Sequence, residues 1–224
     1  MDKKGKSSEY FQRKIESEKE RIEKFEVALS SLEPSNVKGI RMGKMVLANL
    51  YLNCVKLAYS KDKSFQRMYQ DYIKFLEYYK DVCTSKDGMY DMIDVLSIGV
   101  LLQDRKKDFI GLLDEVVLKF DSEDGLLIFL MDYLKDKTSQ RKPSKIEYFN
   151  ELLESKDKLG ILKKESELWY DKHSDAYWYN SHESKNNTYC GYWCFEIAAL
   201  AQILGIDDTV LRENPYYPYE NNLN

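Results

Sequence analysis

Proline and glycine are scarce, at four and ten in 224 residues. With so few helix breakers, long stretches of chain are free to be helical. Apolar runs are short too, and none approaches the roughly 20 residues that a membrane-spanning helix needs. No membrane partner is therefore expected. The opening Met1-Asp2-Lys3-Lys4-Gly5-Lys6-Ser7-Ser8 is charged and lacks the apolar stretch of a secretory signal, so the expected location is the cytoplasm. Cysteine occurs four times, as Cys54, Cys83, Cys190 and Cys194, in no close-spaced disulfide framework. A packing role as small buried hydrophobes is expected of these thiols rather than metal or redox chemistry.

Chemical signatures are missing as well. There is no His-Glu-x-x-His or Cys-x-x-Cys, no Gly-x-x-x-x-Gly-Lys-Ser/Thr, no Gly-x-Gly-x-x-Gly and no nucleophile elbow. Those absences leave no expected catalytic residue, metal or cofactor. Nor does any segment show the period-two alternation of a half-buried strand between turn signals.

What is present is helical periodicity. Hydrophobic residues make up 43% and charged residues 32%, the balance of a globular chain. Phe11, Ile15, Ile22, Phe25, Leu29 and Leu32 form one stripe, interrupted by Glu18 and stopped by Pro34. Further helices are predicted over about 37–60, 63–83, 90–103, 106–120, 123–135, 156–171 and 191–204. Ser144 with Glu147 three residues on predicts a capping box for another. The fold class is therefore all-α, a multi-helix bundle or helical-hairpin array of about nine helices. A polar stretch ending in Pro143 divides it into an N-terminal helical module, 1–142, and a C-terminal module, 143–224, packed as one unit. The N-terminal stripe leaves a homodimer open.

Charge is unevenly spread behind a net of −4. Residues 1–44 are net positive, whereas residues 165–224 hold 3 Lys/Arg against 10 Asp/Glu. An acidic end disfavours nucleic acid and suits a basic partner. The same end holds all three tryptophans and both histidines, in Trp169-Tyr170-Asp171-Lys172-His173, Asp175, Trp178-Tyr179, His182-Glu183, then Tyr189, Gly191-Tyr192-Trp193 and Phe195-Glu196. Aromatics with polar tips suit a place where one end is buried and the other must find a hydrogen bond. Glu196 lies in a helix apolar nearly all round and so requires a partner, with His182 or a tyrosine hydroxyl as candidates. In Leu204-Gly205-Ile206-Asp207-Asp208-Thr209 one aspartate is expected to cap the next turn, leaving the pair as a candidate for binding.

The order Trp169-Tyr170, Trp178-Tyr179 with His182, Tyr189, Gly191-Tyr192-Trp193 with Phe195-Glu196, Ile206-Asp207-Asp208 and Tyr216-Tyr217-Pro218 resembles the C-terminal domain of the PoNi immunity family. The pattern around Tyr90 to Leu102 and Asp114 agrees more loosely. Where the family tends to carry Asp two residues after Tyr-Tyr-Pro, this chain has Glu220, which keeps the charge. The resemblance implies a non-enzymatic helical protein that binds a cognate PoNe DNase toxin and blocks it by occlusion. On that reading Asp171, Asp175, Trp178, Tyr179, His182, Glu183, Asp207 and Asp208 are the candidate toxin-binding residues. Trp169, Tyr170, Tyr189, Gly191, Tyr192, Trp193, Glu196, Tyr216, Tyr217 and Pro218 are candidate structural-motif residues. Two other readings are a helical protein–protein adaptor and a helical metalloenzyme using His173, His182, Glu183 and Glu196.

Overall fold

Residues 6–120, 122–139 and 141–220 are described by a computed structural model, in which nine α-helices and four short 3-10 segments carry the described chain. The fold is all-α, and no strand occurs among the described residues. No described helix is long and apolar enough to cross a membrane. The helices divide between two compact units. One comprises the described residues of 1–87, 105–121 and 220–224; the other comprises 88–104 and 122–219.

The first unit is built on α1 (Ser8–Ser30), α2 (Val37–Asp62), α3 (Tyr69–Val82) and α5 (Ile110–Phe120). Ser7 caps α1 by accepting from the Tyr10 N–H at 3.3 Å, and Asn36 caps α2 by accepting from Gly39 N–H at 3.0 Å. Six residues join α1 to α2, which makes them an antiparallel pair. Gly43 lets them approach closely, since a Cβ there would lie 3.0 Å from Leu29 Cδ1. The buried face of α1 differs from the apolar stripe. Glu18 is 1% exposed, held by Lys14 at 2.6 Å and Arg21 at 2.9 Å, while Phe25 is 36% exposed. Glu26 accepts from Tyr51 OH and Tyr78 OH at 2.9 and 3.1 Å, and burial together with that carboxylate pushes the Tyr78 hydroxyl up to about 12. Two glutamates thus belong to the packing face, because the groups that satisfy them lie on that face or beside it.

The helix predicted from 63 begins later. Lys63 adopts left-handed φ 52°, ending α2, and a 3-10 turn, Phe65–Met68, precedes α3. Glu220 closes this turn by accepting from Ser64 Oγ at 2.7 Å and from the Phe65 N–H at 2.5 Å. Removing that carboxylate orphans a half-buried N–H, so Glu220→Ala is expected to cost about 1 kcal/mol, the value of a helix-start cap. Glu220→Gln should recover part of it in urea unfolding. Equal stability of Glu220→Ala and the parent would show that water serves the turn as well.

The second unit contains α4 (Met89–Leu101), α6 (Gly125–Leu134), α7 (Glu147–Glu154), α8 (Lys158–Lys172) and α9 (Phe195–Ile203). Residues 195–201 of α9 are buried without exception, and α4 packs along it. Gln202 Nε2 donates to the Val100 carbonyl at 2.8 Å. Ser144 does not cap a helix at 145. Its hydroxyl donates to Asp124 Oδ1 at 2.8 Å, and α7 starts at Glu147 with no side-chain cap on Ile146. Asp124 is 8% exposed and also accepts from Leu126 N–H and Lys145 N–H, so one carboxylate both caps α6 and pins the incoming segment. All four cysteines are buried free thiols; Cys194 Sγ donates to the Tyr216 carbonyl at 3.1 Å.

Candidate functional site

Helix α8 repeats at four residues through Glu165, Trp169 and His173, which places all three on one face. That face looks onto a cavity of about 270 Å³ within the second unit. Helix α4 contributes Tyr90, Ile93 and Asp94 to its wall, α9 contributes Glu196 and Ile197, and the segment entering α7 contributes Lys145 to Tyr148. Leu126, Lys172 and Trp178 complete the lining.

Trp169 is central to the arrangement. Its ring is 6% exposed, stacks on Trp178 at 5.1 Å and 11°, and donates from Nε1 to Glu196 Oε1 at 2.6 Å. The indole, which the sequence did not nominate, is therefore a partner of the buried Glu196 carboxylate. A charge-assisted bond of this kind is about twice as strong as a neutral one. Glu165, 5% exposed, is paired with Lys172 at 2.5 Å. His173 Nδ1 lies 2.6 Å from the Trp169 carbonyl oxygen, and its ring rests against Tyr90, Trp169 and Trp178. Desolvation holds its pKa below the ordinary imidazole value, against the pull of the Trp169 carbonyl, Asp94 and Asp175.

Behind this wall stands a tyrosine stack. Tyr170 lies parallel to Tyr216 at 5.2 Å and 10°, and also meets Tyr179 and Tyr192. Its hydroxyl donates to Asn180 Oδ1 at 2.8 Å, which steadies the left-handed Asn180 at φ 56°. Tyr192 OH meets the His182 backbone N–H at 3.1 Å and Nδ1 at 2.9 Å. Gly191 has φ 99°, a conformation that a side chain would strain, and it turns the chain between buried Tyr189 and Tyr192. Trp193, Tyr217 and Pro218 are buried as well.

The eight candidate binding residues fall into three groups. Asp171, Asp175, Glu183 and Asp207 are exposed carboxylates. Trp178, Tyr179 and His182 are half-buried members of the aromatic packing. Asp208 is engaged internally, accepting from Arg212 at 2.8 Å and from Tyr217 OH at 3.1 Å. Of the aspartate pair, Asp207 makes the local turn by accepting from the Thr209 N–H at 3.0 Å and Oγ1 at 2.5 Å. The hydroxyl and N–H of Thr209 hold the Asp207 carboxyl below the ordinary range.

His173, His182, Glu183 and Glu196 are not brought together as one set. His173 and Glu196 line the cavity, whereas His182 faces Tyr192 and lies 3.5 Å from the exposed Glu183. Among the described residues no three His, Cys, Asp or Glu side chains form a group able to hold a metal ion. Of the cavity's other polar lining, Asp94, Lys145, Tyr148 and Glu165 were not singled out from the sequence. Only Glu165 carried a signal, its spacing of four from Trp169.

Residues 4–113 match the family model described as PoNe immunity protein (PoNi), N-terminal, and residues 122–220 match the one described as PoNe immunity proteins (PoNi), C-terminal. No curated protein and no solved structure matches the chain.

Proposed function

Because the chain belongs to the PoNi family of immunity proteins, we propose that it binds a cognate PoNe nuclease toxin and neutralises it by occlusion, with no reaction of its own. The observation carrying this reading is that matches to both family halves span nearly the whole chain. The charge distribution supports it. A DNase groove is cationic because it must neutralise phosphate. The segment 165–224 holds 3 Lys/Arg against 10 Asp/Glu, and although Glu165 and Glu196 are buried, its exposed carboxylates Asp171, Asp175, Glu183 and Asp207 offer such a groove counter-charges and repel nucleic acid.

The exposed carboxylates Asp171, Asp175 and Glu183 are the steering charges in this proposal, and Tyr177, 77% exposed among them, is an aromatic anchor. Trp178, Tyr179 and His182 act beneath that surface by holding its turns. Rigidity of this kind reduces the ordering cost of association. The aromatic stack is therefore part of the binding argument without needing to touch the toxin.

Titration calorimetry against the catalytically inactive nuclease domain, in low and high salt, tests the proposal. Tight equimolar binding that weakens with salt is expected. The triple variant Asp171→Asn/Asp175→Asn/Glu183→Gln should associate about tenfold more slowly at low salt and nearly normally at high salt. Absence of binding in either salt overturns the immunity reading. Tight binding with an unchanged association rate in the triple variant overturns the steering role alone.

A further inference from the structure

We propose that the cavity of the second unit is a receptor for an alkyl-guanidinium group. Its walls combine two features that select this cation. The first is a broad aromatic face, Trp169 stacked on Trp178 with His173 and Tyr90 alongside. A planar, weakly hydrated cation stacks on such a face, whereas a compact ammonium does so less well. The second is a set of buried oxygens. Glu165 and Glu196 are 5% and 6% exposed, and Asp94 lines the same space.

An independent observation points to a missing polar partner. Tyr148 lines the cavity, and its hydroxyl is buried with no hydrogen-bond partner among the described residues. Leaving such a group unsatisfied costs about 1–3 kcal/mol. Its surroundings do not invite an anion, for the charges that bear on it are those of Glu196 and Glu165. A ligand with several N–H donors in one plane can serve the tyrosine oxygen and a carboxylate together.

Room and charge agree with this assignment. The cavity, about 270 Å³, accepts a guanidinium with its alkyl stem. The cation now neutralising Glu165 is Lys172, whose side chain is 52% exposed. Lys172 therefore stands at the rim as an exchangeable counter-ion, free to swing into water when a better-matched cation enters. Lys145, also on the wall, is exposed and has the same freedom. Two sources can supply the group: an arginine side chain of the bound nuclease, or a free guanidinium compound. Only the first rests on the immunity reading.

The probe is N-acetyl-arginine methylamide, titrated into the full chain and followed by tryptophan fluorescence and by indole N–H resonances. Saturable binding in roughly the millimolar range is expected for one group of this size. The neutral isostere N-acetyl-citrulline methylamide should bind at least about tenfold more weakly, because it lacks the charge. Glu165→Gln and Tyr148→Phe should each weaken the arginine probe severalfold. No saturable change, or equal binding of the citrulline analogue to the unmodified protein, overturns the proposal whether or not either variant folds. In the complex with inactive nuclease, competition by the probe identifies a nuclease arginine as occupant, and undiminished probe binding identifies a free compound. Probe binding without nuclease binding refutes the immunity reading and leaves the receptor standing.

Discussion

Trp169→Phe is expected to lower unfolding stability by about 1.5–3 kcal/mol, the range for a hydrogen bond to a charged group. Phenylalanine keeps an aromatic ring against Trp178 and His173 but loses the Nε1–H that reaches Glu196 Oε1 at 2.6 Å. Glu196 is 6% exposed, in a helix whose first seven residues are all buried, so water does not readily replace the lost donor. Urea unfolding of a double-mutant cycle isolates the effect. In a Glu196→Gln background the same Trp169→Phe change should cost much less, since an under-bonded amide is cheaper to bury than an under-bonded carboxylate. A loss below about 1 kcal/mol in the parent background would show that the carboxylate is held mainly by other groups.

Gly125→Ala should be the second severe change, at about 3 kcal/mol, near the upper end for overpacking. The added Cβ would lie 2.0 Å from the Lys142 carbonyl oxygen and 2.9 Å from the Pro143 carbonyl carbon, both backbone atoms that cannot rotate away. Those atoms are held in place from several sides. Gly125 N–H donates to the Pro143 carbonyl at 3.0 Å, and Asp124 binds Ser144 Oγ and the Lys145 N–H at 2.8 Å each. Relieving the clash requires the segment to leave α6, and Lys145 to Tyr148 would leave the cavity wall with it. Thermal unfolding should show a drop of roughly 6–12 °C in Tm for a chain of this size. Gly111 is the control: nothing stands within 4 Å of its would-be Cβ, so alanine there should be neutral or mildly stabilising. A Gly125→Ala protein as stable as the parent would mean that the segment shifts without penalty.

Much of the fold was legible from residues alone. Scarce proline and glycine, together with apolar spacings of three and four, predicted an all-α chain, and the helices α2, α4 and α8 lie close to their predicted spans. Periodicity succeeds here because the face that a helix buries is a local property of its order of residues. It failed on α1 for a physical reason. Glu18 read as an interruption of the stripe and Glu26 was not singled out, yet Glu18 is buried with Lys14 and Arg21 as partners and the half-buried Glu26 accepts from two tyrosines. Phe25, read as core, is partly exposed. Residue type reports the cost of burial, whereas the partners that offset the cost come from neighbouring turns and other helices.

Concentration of aromatics and acids near the C-terminus, and the motifs that resemble the PoNi family, were determined by sequence. So were the helical class, the buried character of α9 and the demand that Glu196 find a partner. Tertiary structure alone decided which partner that was. It chose Trp169 from 27 residues away, bonded Asp208 to Tyr217 and to the exposed Arg212 while Asp207 held its own turn, and gathered Asp94, Tyr148 and Glu165 around one cavity. The reason is the same in each case. A helix registers its own period within a few residues, but a hydrogen bond between helices depends on how they pack, and no local spacing encodes that.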